Sequence, residues 1–294
     1  MGKRVHVIVN PAAGQDRPIL GILNRAFQST DVDWDVFVTK RAGDGRRLAQ
    51  EALRAGVDAV AVYGGDGTVM EVASALIGSA VPLAVFPGGT ANVLSVELGI
   101  PNDLTQACAL VCSDARTTRA IDVGRIGDRY FLIRVGLGVE ADMVQGADRS
   151  LKDRMGNLAY AFSALQALRD PTISRYRLTI DGERFETEGI TCVIANMGSI
   201  GQGTLKLASQ IDVGDGLLDV VVITKADLPS LLSVAASVVT GTAAPEPLLH
   251  WQGREITVGA EPRQAVQIDG EVVDLSEVRA EVVPEAVHVI VPAR

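Results

Sequence analysis

The sequence predicts an α/β protein: an amino-terminal doubly wound parallel sheet with glycine-rich loops, followed by a mainly antiparallel β-sandwich domain. Three observations predict it. Strand-like and helix-like segments alternate as far as Ile121, the strand-like runs are almost continuously apolar, and beyond Ile121 short strand-like runs are separated by Asp-Gly turns. Alternation with apolar strands implies parallel strands covered by helices on both faces, whereas Asp-Gly between β-rich runs marks tight hairpins.

Each element has its own signal. Val5–Val9, Trp34–Thr39, Ala59–Tyr63 and Leu83–Phe86 read as strands. The segments between them, near Ile19–Ser29, Gly45–Ala55 and Thr68–Ile77, read as helices, and two more follow from Thr90 toward Leu98 and over Gln106–Ser113. In such a sheet, ligands bind at the carboxyl ends of the strands. The second half offers strands at Tyr130–Val135, Arg175–Ile180, Thr191–Asn196, Leu218–Ile223, Glu255–Val258 and Val278–Val283, with hairpin signals at Asp181-Gly182, Asp215-Gly216 and Asp269-Gly270. Helical inserts are expected at about Leu151–Leu168 and Ala226–Val239. The expected domains are residues 1–121 and 122–285, with 286–294, which hold the apolar run Val287–Val291, open to a return to the first domain.

Composition narrows the function classes. A hydrophobic content of 47% over 294 residues is enough for two cores and excludes compositional disorder. The net charge of −9 argues against a nucleic-acid partner, whose phosphates want a basic domain. Cys108, Cys112 and Cys192 lack disulfide-type spacing and sit in apolar runs, which fits core residues in a reducing compartment. His6, His250 and His288 are too scattered for a histidine metal site. The chain starts straight into a strand pattern without a signal-peptide profile, and its longest apolar run, Leu228–Ala244, is broken by Ser230, Ser233, Ser237, Thr240 and Gly241. A cytoplasmic protein is therefore expected.

Two loops carry most of the functional information: Gly64-Gly65-Asp66-Gly67-Thr68 after the third strand and Pro87-Gly88-Gly89-Thr90-Ala91-Asn92 after the fourth. Glycine turns at the carboxyl end of a buried strand bring N–H groups close to an anion, and a following helix adds the positive end of its dipole, so both loops suit the phosphates of a nucleotide. Asn10-Pro11-Ala12-Ala13-Gly14 and Thr39-Lys40 close the first and second strands on the same edge, with Arg41, Arg46 and Arg47 nearby. Those arginines read either as a phosphate-facing cluster or as a solvated face. No Gly-x-x-x-x-Gly-Lys-Ser/Thr motif occurs, which excludes a P-loop enzyme at motif level. Gly136-Leu137-Gly138-Val139-Glu140-Ala141 matches the dinucleotide pattern, but no strand ending in an acid follows at the required distance.

Together, Asn-Pro-x-x-Gly, Gly-Gly-Asp-Gly-Thr and Pro-Gly-Gly-Thr-Ala-Asn, in this order, resemble the diacylglycerol kinase and sphingosine kinase superfamily, in particular its bacterial soluble lipid kinases. Gly-Gly-Asp-Gly-Thr alone is shared with NAD kinases and phosphofructokinases; Pro-Gly-Gly-Thr-Ala-Asn points to the lipid kinases. Asp122-Val123-Gly124, Gly136 to Asp142, Asp215-Gly216-Leu217-Leu218 and Asp269-Gly270-Glu271 resemble the same family. The resemblance implies an ATP- and Mg²⁺-dependent lipid kinase that transfers the γ-phosphoryl group to a lipid hydroxyl, as in diacylglycerol or a sphingoid base. It implies that Asn10, Thr39, Gly64, Gly65, Asp66, Gly67, Thr68, Val69, Met70 and Thr90 surround ATP. Asp66 then lies near the triphosphate and its Mg²⁺, Glu271 is the general base, and Asp269 supports metal or substrate. In the sphingosine kinase branch the base corresponds to Asp66 instead. The family likeness further implies a second Mg²⁺ held by the Asp215 carboxylate and the carbonyls of Asp212 and Leu217. Asp142 corresponds to an acid facing the lipid headgroup, although Glu140-Ala141-Asp142-Met143 matches that pattern only in part. From the residues alone, Asp212–Leu217 and Asp269–Glu271 are also plain hairpin turns.

The expected partners are a lipid substrate and, transiently, a membrane surface; no nucleic acid is expected, and either a monomer or a homodimer fits the fold. The basic residues between Asp148 and Arg177 read as a solvated helix face or as a face for anionic lipid. Two alternative functions stay open: an NAD kinase-like small-molecule kinase, and a non-catalytic nucleotide sensor that kept the fold.

Overall fold

The computed structural model describes residues 3–13, 17–28, 30–113, 116–138, 141, 172–200, 206–224 and 249–293. Asp142, the expected helices at 151–168 and 226–239 and the apolar run 228–244 lie outside them. The chain divides into two compact units, Met1–Ile121 with Glu285–Arg294, and Asp122–Pro284.

In the first unit, β1 (Lys3–Val9), β2 (Val32–Val38), β3 (Ala59–Gly64) and β4 (Leu83–Pro87) form a parallel sheet in the order β2-β1-β3-β4. Every position of β3 and β4 is buried, as strands covered on both faces require, while the edge strand β2 alternates between half-buried and exposed residues. With the right-handed crossovers that parallel strands adopt, the order β2-β1-β3-β4 assigns α1 (Ile19–Phe27) to one face and α2 (Asp44–Ala55) with α3 (Asp66–Leu76) to the other. Accordingly α2 packs on α3, and α1 packs on α5 (Leu104–Cys112). At the start of α5 the Asp103 carboxylate accepts the Gln106 N–H at 3.0 Å. Burial pushes the Cys108 thiol of that helix up to about 12, so it packs as an inert apolar group. The helix expected from Thr90 is shorter: α4 spans Val93–Glu97, because Asn92 is left-handed at φ 49° and its side chain bridges the N–H and carbonyl of Gly89.

The second unit is a sandwich of antiparallel strands. Its strands are β5 (Arg116–Ile126, which begins in the first unit), β6 (Arg129–Phe131), β7 (Arg134–Gly138), β8 (Ser174–Ile180), β9 (Glu183–Gly189), β10 (Thr191–Ala195), β11 (Leu218–Ile223), β12 (Leu249–Gly253), β13 (Glu255–Glu261), β14 (Val266–Ile268), β15 (Glu271–Val273) and β16 (Glu277–Pro292). One sheet runs β12-β11-β10-β7-β14-β15; the other runs β16-β13-β8-β9, with β5 beside β16 and β6. Phe131, Leu137, Tyr176, Ile194, Val220, Ile256 and Val278 from both sheets share one core. Along β8 the alternation is plain: Tyr176, Leu178 and Ile180 face inward, while Arg175 and Arg177 reach Glu186 and Glu261 on the neighbouring strands. The runs expected separately at Val278–Val283 and Val287–Val291 are one strand, β16, whose first part pairs with β13 and whose Val289 pairs in parallel with Leu83.

Two of the three Asp-Gly signals are hairpins. Asp181-Gly182 (φ 48° and 88°) joins β8 to β9, and Asp269-Gly270 (φ 46° and 88°) joins β14 to β15; positive φ at both central residues is the type I′ geometry. Asp215-Gly216 is not a hairpin: Asp215 accepts the Leu217 N–H at 3.0 Å in a side-chain turn leading into β11. The dinucleotide-type run forms no phosphate-binding loop, in line with its missing acid-ending strand. Gly136 and Leu137 lie inside β7, paired on one side with β10 and on the other with β14, so their N–H groups belong to a ladder rather than a phosphate-binding turn.

Candidate functional site

The carboxyl edge of the first unit's sheet brings the glycine loops into direct backbone contact. Gly88 donates its N–H to the Gly64 carbonyl at 3.0 Å, one step beyond the β3–β4 ladder. A Cβ on Gly89 would lie 2.6 Å from the Gly65 Cα, one on Gly88 2.9 Å from the Tyr63 ring, and one on Gly64 2.6 Å from the Thr68 Cβ. These positions are glycine because the two loops and the side chains flanking them leave no space. α3 starts at Asp66, so the N–H groups of Asp66, Gly67 and Thr68 precede the first intrahelical bond, which runs from Val69 N–H to the Gly65 carbonyl. N–H groups that precede the first intrahelical bond, at the positive end of a helix dipole, make a ready anion site.

Side chains lock this arrangement. Asn10 Nδ2 donates to Thr68 Oγ1 at 2.8 Å, tying the end of β1 to the first turn of α3. Asp66 Oδ1 accepts the Val93 N–H at 2.8 Å and so closes the Pro87–Asn92 loop onto the Gly64–Thr68 loop. Thr39, at the end of β2, donates its N–H to the Val9 carbonyl at 2.9 Å. Gly67 and Thr90 are exposed and Met70 half-buried, while Val69 faces the core. Arg47 is held by Asp44 at 3.1 Å and Glu51 at 2.8 Å, which puts it on the solvated-face reading of the arginines rather than in a phosphate cluster. Sequence reasoning does not single out Tyr63 or Glu71, and takes Asn92 only as the end of the Pro87–Asn92 motif. The signals that mark them are the glycine facing the Tyr63 ring, the ease with which asparagine adopts a left-handed backbone, and, for Glu71, nothing local at all. A cavity of about 390 Å³ lies at the opposite strand edge, lined by Lys3, Asp58, Arg116 and Thr117 among others.

In the second unit the Asp269 carboxylate is enclosed by a turn. It accepts the N–H groups of Leu132 at 2.8 Å, Ile133 at 3.0 Å and Arg134 at 2.9 Å, and Asp269 N–H returns to the Arg134 carbonyl at 3.0 Å. Three successive N–H groups converging on one anion cannot belong to an extended strand, where they alternate sides; hence the strand expected over Tyr130–Val135 breaks into β6 and β7. Burial pushes the Asp269 carboxyl up to about 6, against the pull of these three donors. Glu271 stands two residues on, at the start of β15, with its side chain 81% exposed and 3.9 Å from Arg129.

Asp212 and Asp215 lie in the turn before β11, where Asp212 accepts the Gly214 N–H at 3.0 Å and Asp122 accepts the Gly216 N–H at 2.7 Å. Burial, then the nearby Asp212 and Asp122 charges, push the Asp215 carboxyl up. Among the described residues no group of three His, Cys, Asp or Glu side chains gathers to hold a metal ion. Among them, too, no helix is long and apolar enough to cross a membrane.

Residues 4–126 match the family "Diacylglycerol kinase catalytic domain", and residues 133–291 match the "YegS C-terminal NAD kinase beta sandwich-like domain". A "Probable lipid kinase YegS-like" of Klebsiella pneumoniae (strain 342) is 31% identical over 95% of this chain and 93% of its own. The chain belongs to the diacylglycerol kinase and YegS-type lipid kinase family. A "Diacylglycerol kinase" of Bacillus subtilis (strain 168) is 27% identical over 92% of this chain and 90% of its own. A crystal structure of a diacylglycerol kinase from Bacillus anthracis str. Sterne superposes with a TM-score of 0.78 over 98% of this chain and 97% of its own, at 24% identity, which is a likeness of fold. Kinase chemistry comes with the family, and in this lipid kinase family chain the glycine loops and the Asp269 turn fall within the two matched regions.

Two stability tests follow from this geometry. Gly89→Ala is expected to cost about 1–3 kcal/mol in urea unfolding, because its Cβ meets backbone that cannot move aside. Gly67→Ala, with nothing within 4 Å, is expected to be neutral or to stabilise α3; equal losses in the two variants would contradict the loop contact. Asp269→Asn sets an amide N–H₂ against a backbone N–H and is expected to lose about 1–3 kcal/mol. Because the folded-state pKa of Asp269 is raised from 3.8 to about 6, its contribution to stability is full below 3.8 and is lost as pH rises through about 6. Unfolding measured across that window is expected to show this slope in the natural protein and a flatter one in Asp269→Asn.

Proposed function

We propose that this protein is an ATP- and Mg²⁺-dependent lipid kinase that moves the γ-phosphoryl group to the hydroxyl of a diacylglycerol or sphingoid-like lipid. The observation that carries the reading is the pair of glycine loops in backbone contact at the carboxyl edge of the first unit, with the amino-terminal turn of α3 beside them. Phosphoryl transfer is mostly positioning and neutralisation of spread negative charge, which backbone N–H groups and a helix dipole supply. In this reading Gly64–Thr68 and Met70 line the triphosphate, Val69 contributes by holding α3 in place, and Asn10, Thr39 and Thr90 complete the nucleotide site.

Glu271 takes the proton from the acceptor hydroxyl as its oxygen attacks the γ-phosphorus and the bond to the ADP oxygen breaks. Asp269 acts on Glu271 through the hairpin that it anchors, and Asp142 is the proposed headgroup contact. Oxygen donors suit Mg²⁺. Asp66 is the carboxylate proposed for the catalytic ion; Asp215, with the carbonyls of Asp212 and Leu217, is proposed for a second, since a bound cation would offset the burial and, after it, the Asp212 and Asp122 charges that push the Asp215 carboxyl up. When bound, Mg²⁺ supplies neutralisation of the phosphate charge. The proposed setting is the cytoplasm, in transient contact with a membrane surface that holds the lipid, as a monomer or homodimer. Diacylglycerol is the first acceptor to try, as it is the one named for the Bacillus subtilis relative.

The test is transfer of label from γ-labelled ATP into a panel of hydroxyl lipids in mixed micelles, beside Glu271→Gln. Label is expected in one lipid class, reduced at least about 100-fold in the variant with ATP binding unchanged. Bound ATP with no labelled lipid would overturn the lipid acceptor, and an active Glu271→Gln would remove Glu271 from the role of base.

A further inference from the structure

The turn after β2 is held by two carboxylates, and one of them comes from the helix of the other loop. Four N–H groups of this turn are involved. Asp44 accepts the N–H groups of Lys40 at 2.9 Å and Arg41 at 3.2 Å, from within its own turn. Glu71, on α3, takes the other two: Oε1 accepts the Gly43 N–H at 2.8 Å and Oε2 the Gly45 N–H at 2.9 Å. The first N–H groups of a helix are ordinarily capped by a Ser, Thr, Asp or Asn at the cap position itself. Here the cap residue of α2 is Gly43, left-handed at φ 84° and without a side chain to do so. Capping has passed to an acid 26 to 28 residues further along the chain, so that the cap of α2 is also a tie between α2 and α3.

The tie joins two parts of one site. Glu71 follows Thr68 by three residues, on the helix that starts in the Gly64–Thr68 loop; Gly43 and Gly45 follow Thr39 by four and six. Thr68 is fixed to Asn10, and Thr39 to Val9, so the ends of β1, β2 and β3 are linked in a closed circuit that the Glu71 carboxylate completes between α3 and the turn after β2. A Cβ on Gly45 would lie 2.8 Å from Glu71 Oε2, so a larger residue there would displace the carboxylate. We infer that Glu71 is a positioning residue for the nucleotide: its carboxylate sets Thr39 and its turn at a fixed distance from the Gly64–Thr68 loop. The inference rests on the nucleotide reading given above, and Glu71 itself need not touch ATP.

The experiment compares the natural protein with Glu71→Ala, Glu71→Gln, Gly45→Ala and the Gly45→Ala/Glu71→Ala double variant. Three quantities are read: ATP affinity by calorimetry, KM for ATP against KM for the lipid acceptor, and hydrogen exchange at the Gly43 and Gly45 amides. Glu71→Ala is expected to weaken ATP binding about tenfold, leave the lipid KM unchanged and deprotect both amides. Glu71→Gln keeps one accepting oxygen and is expected to fall between. Gly45→Ala is expected to weaken ATP binding alone, but to add nothing in the Glu71→Ala background, because the carboxylate that it displaces is gone. Deprotected amides with unchanged ATP affinity, or additive losses in the double variant, would overturn the inference by reducing Glu71 to a structural cap. A natural protein that binds no ATP would overturn the nucleotide reading and the inference together, a result distinct from binding that Glu71→Ala shares.

Discussion

The constraint on which the site depends is the approach of Gly89 to Gly65, close enough that a methyl group on Gly89 would lie 2.6 Å from the Gly65 Cα. β3 and β4 are neighbours in the sheet, and the chain leaves both at the same level. With side chains there, the two loops would splay and the helices behind them would start elsewhere. With glycine, Gly88 extends the ladder by one hydrogen bond and α3 begins at Asp66. Its Asp66 carboxylate then reaches the first N–H of α4. The helix dipole, the first N–H groups of α3 and the acid are therefore brought together by the absence of side chains, an effect that polar groups alone would not produce.

The second unit solves a related problem with charge. One carboxylate, Asp269, gathers three backbone N–H groups and in doing so ends β6, starts β7 and seats the tight hairpin that presents Glu271. Desolvation outweighs the three donors in setting its protonation, so the anchor is bought at a cost in stability that grows with pH. The exposed Arg129–Glu271 pair, at 3.9 Å in solvent, contributes little beside it.

Much of this was legible in the residues. The continuous apolar runs of β3 and β4 and the glycine motifs behind them placed the loops on the sheet's carboxyl edge, and Asp181-Gly182 and Asp269-Gly270 announced their hairpins through the left-handed backbone that aspartate and glycine tolerate. Asp215-Gly216 misled because its aspartate turns onto its own backbone. β9 passed unseen since its outward glutamates, Glu186 and Glu188, pair with Arg175 across the strand, leaving little apolar signal. Glu71 was invisible for a different reason: its partners are distant in sequence, and only the fold brings them to it.

The central claim is that backbone N–H groups of the two glycine loops bind the nucleotide's phosphates. Amide NMR during titration with ATP and Mg²⁺ tests it most directly. Shifts are expected to centre on Asp66, Gly67, Thr68 and the Gly88–Thr90 segment, with the second unit's core unaffected. Saturable binding whose shifts centre instead on the opposite strand edge, around Lys3, Asp58, Arg116 and Thr117, would contradict the account.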